Sequence, residues 1–233
     1  MQKQWSYIAM VVFACSFSAI HIARAEVLDR VIATVNDHVI LLSDLDDELR
    51  FESFTSGRKL IDITAEETKA ALDRLIEQEL LKEQVGTSEP KAISADQVRQ
   101  QIESMKNDYV REHPGKIWDT GLRQYGLTEK SIHSHLTTEL NELQFIDGRF
   151  RPSIQISQWD IEQYYKKELV PKLPASGPVS LSDVTPKIRE VLIQNKISEM
   201  LSSWLQTVRS QAQIRILSPV PNSYLMSPQS GAQ

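Results

Sequence analysis

Apolar residues recur at helical spacing along most of this chain, and a capping Ser or Thr stands before one such run after another. Thr64 with Glu67 makes a capping box, and Ala71, Leu72, Leu75, Ile76, Leu80 and Leu81 then form one stripe that stops near Gly86. Ser94 with Gln97 repeats the device ahead of Val98, Ile102 and Met105. A short helix is predicted from Lys116 to Tyr125, closed by Gly126 in the position of a C-terminal cap. Thr128 opens a long segment whose Ile132, Leu136, Leu140, Leu143, Ile146 and Phe150 share a face, and Ser157 with Asp160 opens another through Ile161 and Tyr164. Ser43, followed by Asp44, Asp46 and Asp47, reads as the cap and acidic first turn of the earliest helix. With only 8 glycines in 233 residues, the chain favours packed helices over a turn-rich β fold.

Two short stretches at the front break the pattern. Val27, Val31, Ile32, Ala33 and Val35, then Val39 to Leu42, are β-prone and separated by Asn36-Asp37-His38, which predicts a hairpin with His38 where a glycine is usual. A lone hairpin is marginal in water, so it needs a further strand or helix. The alternating Gln213 to Leu217 segment is the natural third strand. It follows a long predicted helix starting at Ser182 or Thr185, with Pro186 in its first turn, whose apolar positions from Ile188 to Val208 are too many for one narrow seam. Such a helix is expected to be wrapped by others. Between the two helical regions, Pro171, Pro174, Gly177 and Pro178 mark residues 170–181 as a connector.

Residues 1–25 read as an export signal: Lys3, then the apolar Ile8 to Ala14, then Ala23-Arg24-Ala25 as the cleavage site. Cys15, Ser16, Ser18 and His21 interrupt the apolar run short of the ~20 residues that a membrane span requires. Lipidation at Cys15 is the alternative, and the bulky Phe13 in the preceding triplet argues against it. Cleavage after Ala25 takes the formal charge from −5 to −7, because the removed segment holds Lys3 and Arg24 and no acid. An acidic mature chain argues against nucleic acid or an anionic lipid surface as the main partner. It also lacks cysteine, since Cys15 is the only one, so an internal disulfide and a thiol nucleophile are both excluded. Residues 218–233, with Pro219, Pro221, Pro228 and several serines, read as a disordered tail.

Motifs for chemistry are missing from the pattern. His133 and His135 lie two apart on a predicted helix and point to different sides, which suits solvated or packed histidines better than a shared metal. The pairs Asp46-Asp47 and Glu66-Glu67 fall in first helical turns, where the helix dipole explains them. The sequence contains no glycine-rich phosphate loop and no Gly-x-Ser-x-Gly elbow. No catalytic residue, cofactor or metal ligand is therefore assigned.

The order of elements resembles the SurA-type periplasmic chaperone family, whose helical domain is related to those of the PpiD and PrsA foldases. The resemblance is carried by Asp29 to Asn36 and Val39 to Leu45 for the opening hairpin and first helix, and by Ala71 to Leu81 for the second helix. Ile93 to Val98, Gly126-Leu127-Thr128, Ile156 to Gln158 and Ile161 to Tyr165 continue it, and Ile188 to Leu192, Trp204-Leu205 and Ile214 to Ile216 are similar to the returning helix and strand. The resemblance covers most of the mature chain. In those relatives a parvulin-type prolyl isomerase domain stands between the Tyr-Tyr helix and the returning helix. Here only Lys166 to Leu181 occupies that place, too short for a catalytic domain.

The expected fold is thus mainly α, a multi-helix core with a small antiparallel sheet built from the N-terminal hairpin and the C-terminal strand. Residues 26–169 would form the helical domain and 182–217 the returning helix and strand that complete it. The resemblance implies an ATP-independent periplasmic holdase for unfolded exported polypeptides, outer-membrane protein precursors among them, without isomerase activity. A dedicated scaffold subunit holding one envelope partner is the alternative. Candidate client contacts are Met105, Trp118, Tyr125, Phe145, Phe150, Trp159, Tyr164 and Tyr165, flanked by Arg149, Arg151, Lys166 and Lys167. Periodic aromatics more often pack internally, so each candidate has a core reading beside the surface one. Exchange of the returning helix across the short connector would make a homodimer the alternative to a monomer.

Overall fold

The computed structural model describes residues 29–86, 93–172 and 179–217. The signal at 1–25, the tail at 218–233 and residues 173–178 of the connector lie outside the described residues. Strands β1 (Val31–Val35) and β2 (His38–Leu41) form the hairpin, and β3 (Ile214–Ile216) pairs antiparallel with the other edge of β1, giving the order β2-β1-β3. The fold is mainly α with this one small sheet, as the sequence pattern predicts. A register shift between Val31 and Ala33 explains why the consecutive residues Ile32 and Ala33 are both buried, since a bulge breaks the strict alternation of a strand.

The tight turn is solved differently from the expectation. Positive φ falls on Asn36, at 51°, while His38 begins β2 as ordinary strand. Asparagine tolerates the left-handed region better than most residues, and here its side chain is also used. Its carboxamide oxygen accepts from the Gln213 amide at 2.8 Å, its backbone N–H donates to the Gln213 carbonyl at 2.9 Å, and its Nδ2 donates to Glu83 at 2.8 Å. One turn residue thereby ties the hairpin to the far end of the chain.

Among the described residues there are seven α-helices: α1 (Leu42–Thr55), α2 (Ala65–Gly86), α3 (Ala95–Glu112), α4 (Trp118–Gln124), α5 (Glu129–Phe150), α6 (Gln158–Tyr164) and α7 (Leu181–Gln211). The expected caps form at α2, α3, α5 and α6. The amides of Glu67, Gln97, Ser131 and Asp160 donate to the hydroxyls of Thr64, Ser94, Thr128 and Ser157 at 3.1–3.3 Å. Two helix starts differ. At α1 the Asp44 carboxylate accepts from the Leu41 amide at 2.8 Å, so Asp44 and not Ser43 closes the end, while Ser43 binds Asp29 instead. Helix α7 starts at Leu181 behind a Ser180 cap, which puts Pro186 in the second turn, where it leaves the Ser182 carbonyl without its usual helical donor. The connector is shorter than expected at both ends. Val170–Lys172 forms a 3-10 turn after a π turn at Tyr165–Leu169, and Leu181 belongs to α7.

Among the described residues, packing produces two apolar cores. The first lies between the sheet and helices α1 and α2, where Ile32, Val35, Ile40, Leu45, Leu49, Ile76 and Leu80 are buried, and α7 and β3 close it with Val208, Ala212 and Ile214. The second joins the end of α1 to α3, α4 and the first half of α5 through Phe54, Val98, Trp118, Leu122, Leu127, Ile132 and Leu136. Close approach there demands glycine at Gly121, because a Cβ would run into the Tyr109 ring. Gly126, at φ 71°, ends the turn after α4, and Arg50 from α1 donates to the preceding Tyr125 carbonyl at 2.9 Å. Among the described residues no helix is long and apolar enough to cross a membrane.

Helix α7 is not wrapped as its composition suggests. In its 31 residues only Ile188 and Ile197 are buried. It crosses α2, α5 and α6 on one side, pinned by Arg209 to Asp73 at 2.7 Å and by Glu190 to Arg151, and leaves its other side open.

Candidate functional site

The aromatic candidates fall into three groups. Met105, Trp118 and Tyr125 converge on Phe54 in the second core, with ring centroids of Trp118 and Tyr125 at 5.3 and 5.6 Å from Phe54 in edge-on contact. Trp118 is 7 % exposed. These residues hold α3 and α4 onto α1, so the surface role expected of Trp118 gives way to core packing.

A second group lies where α5 meets α7. Phe145 and Phe150 both pack on Trp204, at 6.2 and 6.0 Å between centroids, and the Arg149 guanidinium lies 4.8 Å from the Trp204 ring. Phe150 itself is 6 % exposed and forms the floor of this junction. Beside it Phe150, Met200, Ser203 and Trp204 line an open groove of about 560 Å³, rimmed by Glu199 and Thr207. Met200 is 37 % exposed, and Leu143, two turns before Phe150 on the same stripe of α5, is 52 % exposed. A wrapped returning helix would place Trp204 and Met200 in the interior. Their spacing of four, one turn apart on α7, was the available signal.

The third group sits on and after α6. Trp159 is 66 % exposed, with its neighbour Ile161 fully buried as the helix anchor. Tyr164 and Tyr165 are half-buried, and the Tyr165 hydroxyl donates to the Val179 carbonyl at 2.7 Å. The flanking cations divide as well. Arg151 grips Glu190 with a two-pronged contact at 2.7 and 3.0 Å and Asp147 at 2.6 Å, and this pairing holds the Glu190 carboxyl down at about 2. Lys166 and Lys167 are exposed on the π turn.

A separate cleft of about 490 Å³ opens between α1, α2 and α5. Asp47 and Glu48 enter from α1, Glu79 and Lys82 from α2, and His135, Glu139 and Glu142 from α5. Asp47 therefore does more than favour a helix start. Burial raises its carboxyl and that of Glu48, although Arg74 at 3.6 Å opposes the rise at Glu48. Burial also pushes Glu142 up to about 7, with Lys82 working against it and Glu139, Glu48 and Glu79 adding to it. The ring of His135 stacks on Phe51 at 4.5 Å, and burial lowers its basicity. His133 faces outward, on the opposite side as its spacing predicts. Chemically the cleft offers a carboxyl that exchanges its proton near neutrality. Among the described residues no cluster of three or more His, Asp or Glu side chains could hold a metal ion.

No protein-family model matches the chain, and no curated protein matches it.

Proposed function

We propose that the chain is an ATP-independent holdase of the periplasm that shields apolar segments of unfolded exported proteins, outer-membrane protein precursors among them, without prolyl isomerase activity. The observation that carries this is the open side of α7. This 31-residue helix, with two buried residues, keeps Met200 and the edge of Trp204 at an open groove floored by Phe150, and Leu143 is exposed on the neighbouring α5. Contiguous apolar surface of that kind marks interaction sites. Added support comes from the SurA-type order of elements and from the signal pattern at residues 1–25.

The energetics suit capture without a nucleotide. Covering ~300 Å² of apolar surface is worth about 7 kcal/mol at ~25 cal/mol per Å². The loss of rigid-body freedom on association removes an estimated 4 kcal/mol or more of that. One patch therefore holds weakly and releases spontaneously, and firm retention needs a client that touches Trp159 and the α5–α7 groove together. The test is to dilute a denatured outer-membrane protein with and without the mature chain. Suppressed aggregation is expected; unchanged aggregation at molar excess of the chain overturns the proposal. Recovery of one stoichiometric partner, with no effect on diverse clients, would instead favour a dedicated scaffold.

A further inference from the structure

The α1–α2–α5 cleft is built against its own charge. Glu142 projects from α5 with its Oε1 buried and without a hydrogen-bond partner. Around it stand Asp47 and Glu48 from α1, with Asp44 and Glu52 at the edge, Glu79 from α2, and Glu139 from α5 itself. The cations are already engaged: Lys82 pairs with Glu79, Arg74 pairs with Glu48 and Glu52, and Arg50 pairs with Asp46. His135, half-buried on Phe51, comes within 4.0 Å of Glu48. An unpaired charge in such a place is costly, and protonating the acid removes the cost.

We propose that this cleft is a proton-controlled joint: with Glu142 protonated α5 lies closed against α1 and α2, and with Glu142 ionised the like charges loosen α5 and the aromatic groove it shares with α7. The inference does not depend on the holdase function, because its readouts are structural. The position of α5 supplies the coupling. Its first half anchors the second core through Ile132 and Leu136, and its last turns carry Phe145 and Phe150 against Trp204.

The sign follows from linkage. A carboxyl held up at about 7 in the fold binds a proton that the unfolded chain releases at lower pH, so its contribution to stability declines as pH rises toward 7 and changes no further above it. His135 acts oppositely, since its lowered basicity makes stability fall when pH drops below the ordinary histidine range. The two groups are separable by substitution.

Amide hydrogen exchange along α5, corrected for the intrinsic pH dependence of exchange, is to be followed between about pH 5.5 and about pH 8.5. In the unaltered protein, protection should drop severalfold as pH rises through about 7. In Glu142→Gln, which keeps the shape and removes this titration, the loss of protection through about pH 7 should vanish, leaving only the His135 decline at the acid end. Lys82→Gln, which removes a cation that opposes the shift, should move the transition to higher pH. A flat profile in the unaltered protein, an unchanged transition in Glu142→Gln, or a transition unmoved in Lys82→Gln would each overturn the proposal.

Discussion

The sheet-side core and the α5–α7 limb contain similar apolar residues with opposite fates. Around the sheet, Ile32, Ala33, Ile76 and Leu80 lose all contact with solvent because helices lie on one face of the strands and α7 seals the margin. Along the limb, α7 meets α2, α5 and α6 from one side, and nothing among the described residues covers the other. Apolar content alone therefore does not decide burial. A second wall does, and the sheet end has one because both ends of the described fold meet there, through β1 and β3.

The largest effect that distinguishes the two regions is expected at Ile76, fully buried between α2 and the sheet. Ile76→Ala should cost about 2–5 kcal/mol in denaturant unfolding, the range for a deleted core side chain whose site cannot collapse. A loss under about 0.5 kcal/mol, as at a surface position, would show that the core is loosely packed and erase the contrast.

A middle-sized effect belongs to Asn36, which joins the hairpin to the returning strand and to α2. Asn36→Ala removes the side-chain bonds to Gln213 and Glu83 and leaves a residue less suited to φ 51°. The expected loss is about 1–2 kcal/mol, discounted because these bonds are solvent-exposed. Exchange protection of β3 should fall more than that of β2. Equal loss in both strands would mean that the turn, and not the bridge to Gln213, is what Asn36 supports.

Local signals made much of this legible in the sequence. The caps at Thr64, Ser94, Thr128 and Ser157 need only a hydroxyl and the amide three residues on, so they survive whatever the rest of the chain does. The third strand was readable from alternation in Gln213 to Leu217 and from the inability of a hairpin to stand alone. Errors arose where a competing partner decided the outcome. Ser43 had Asp29 as a rival to its helix-capping role, and Asn36 had Gln213 to reward the left-handed conformation expected at His38. Trp118 and Trp159 look alike as helix-opening aromatics; only tertiary packing sends one under Tyr109 and Phe54 and the other to solvent. The acidic cleft has a sequence signal of its own. His135, Glu139 and Glu142 continue the inward stripe of Ile132 and Leu136 on α5, and titratable groups on an inward stripe point to a polar joint.

The smallest effect on stability should come from the limb, and there it distinguishes surface from support. Trp159→Ser and Met200→Ser alter exposed side chains, so each should change unfolding free energy by no more than about 0.5 kcal/mol. The pair together should nevertheless weaken suppression of client aggregation, because they stand on the two surfaces a client would bridge. Phe150→Ala is the informative companion, since it removes the floor beneath Trp204 and should cost stability as well as binding. If Trp159→Ser with Met200→Ser left aggregation suppression intact while Phe150→Ala abolished it, the open side of α7 would be a consequence of incomplete packing, and the contact surface would have to lie elsewhere.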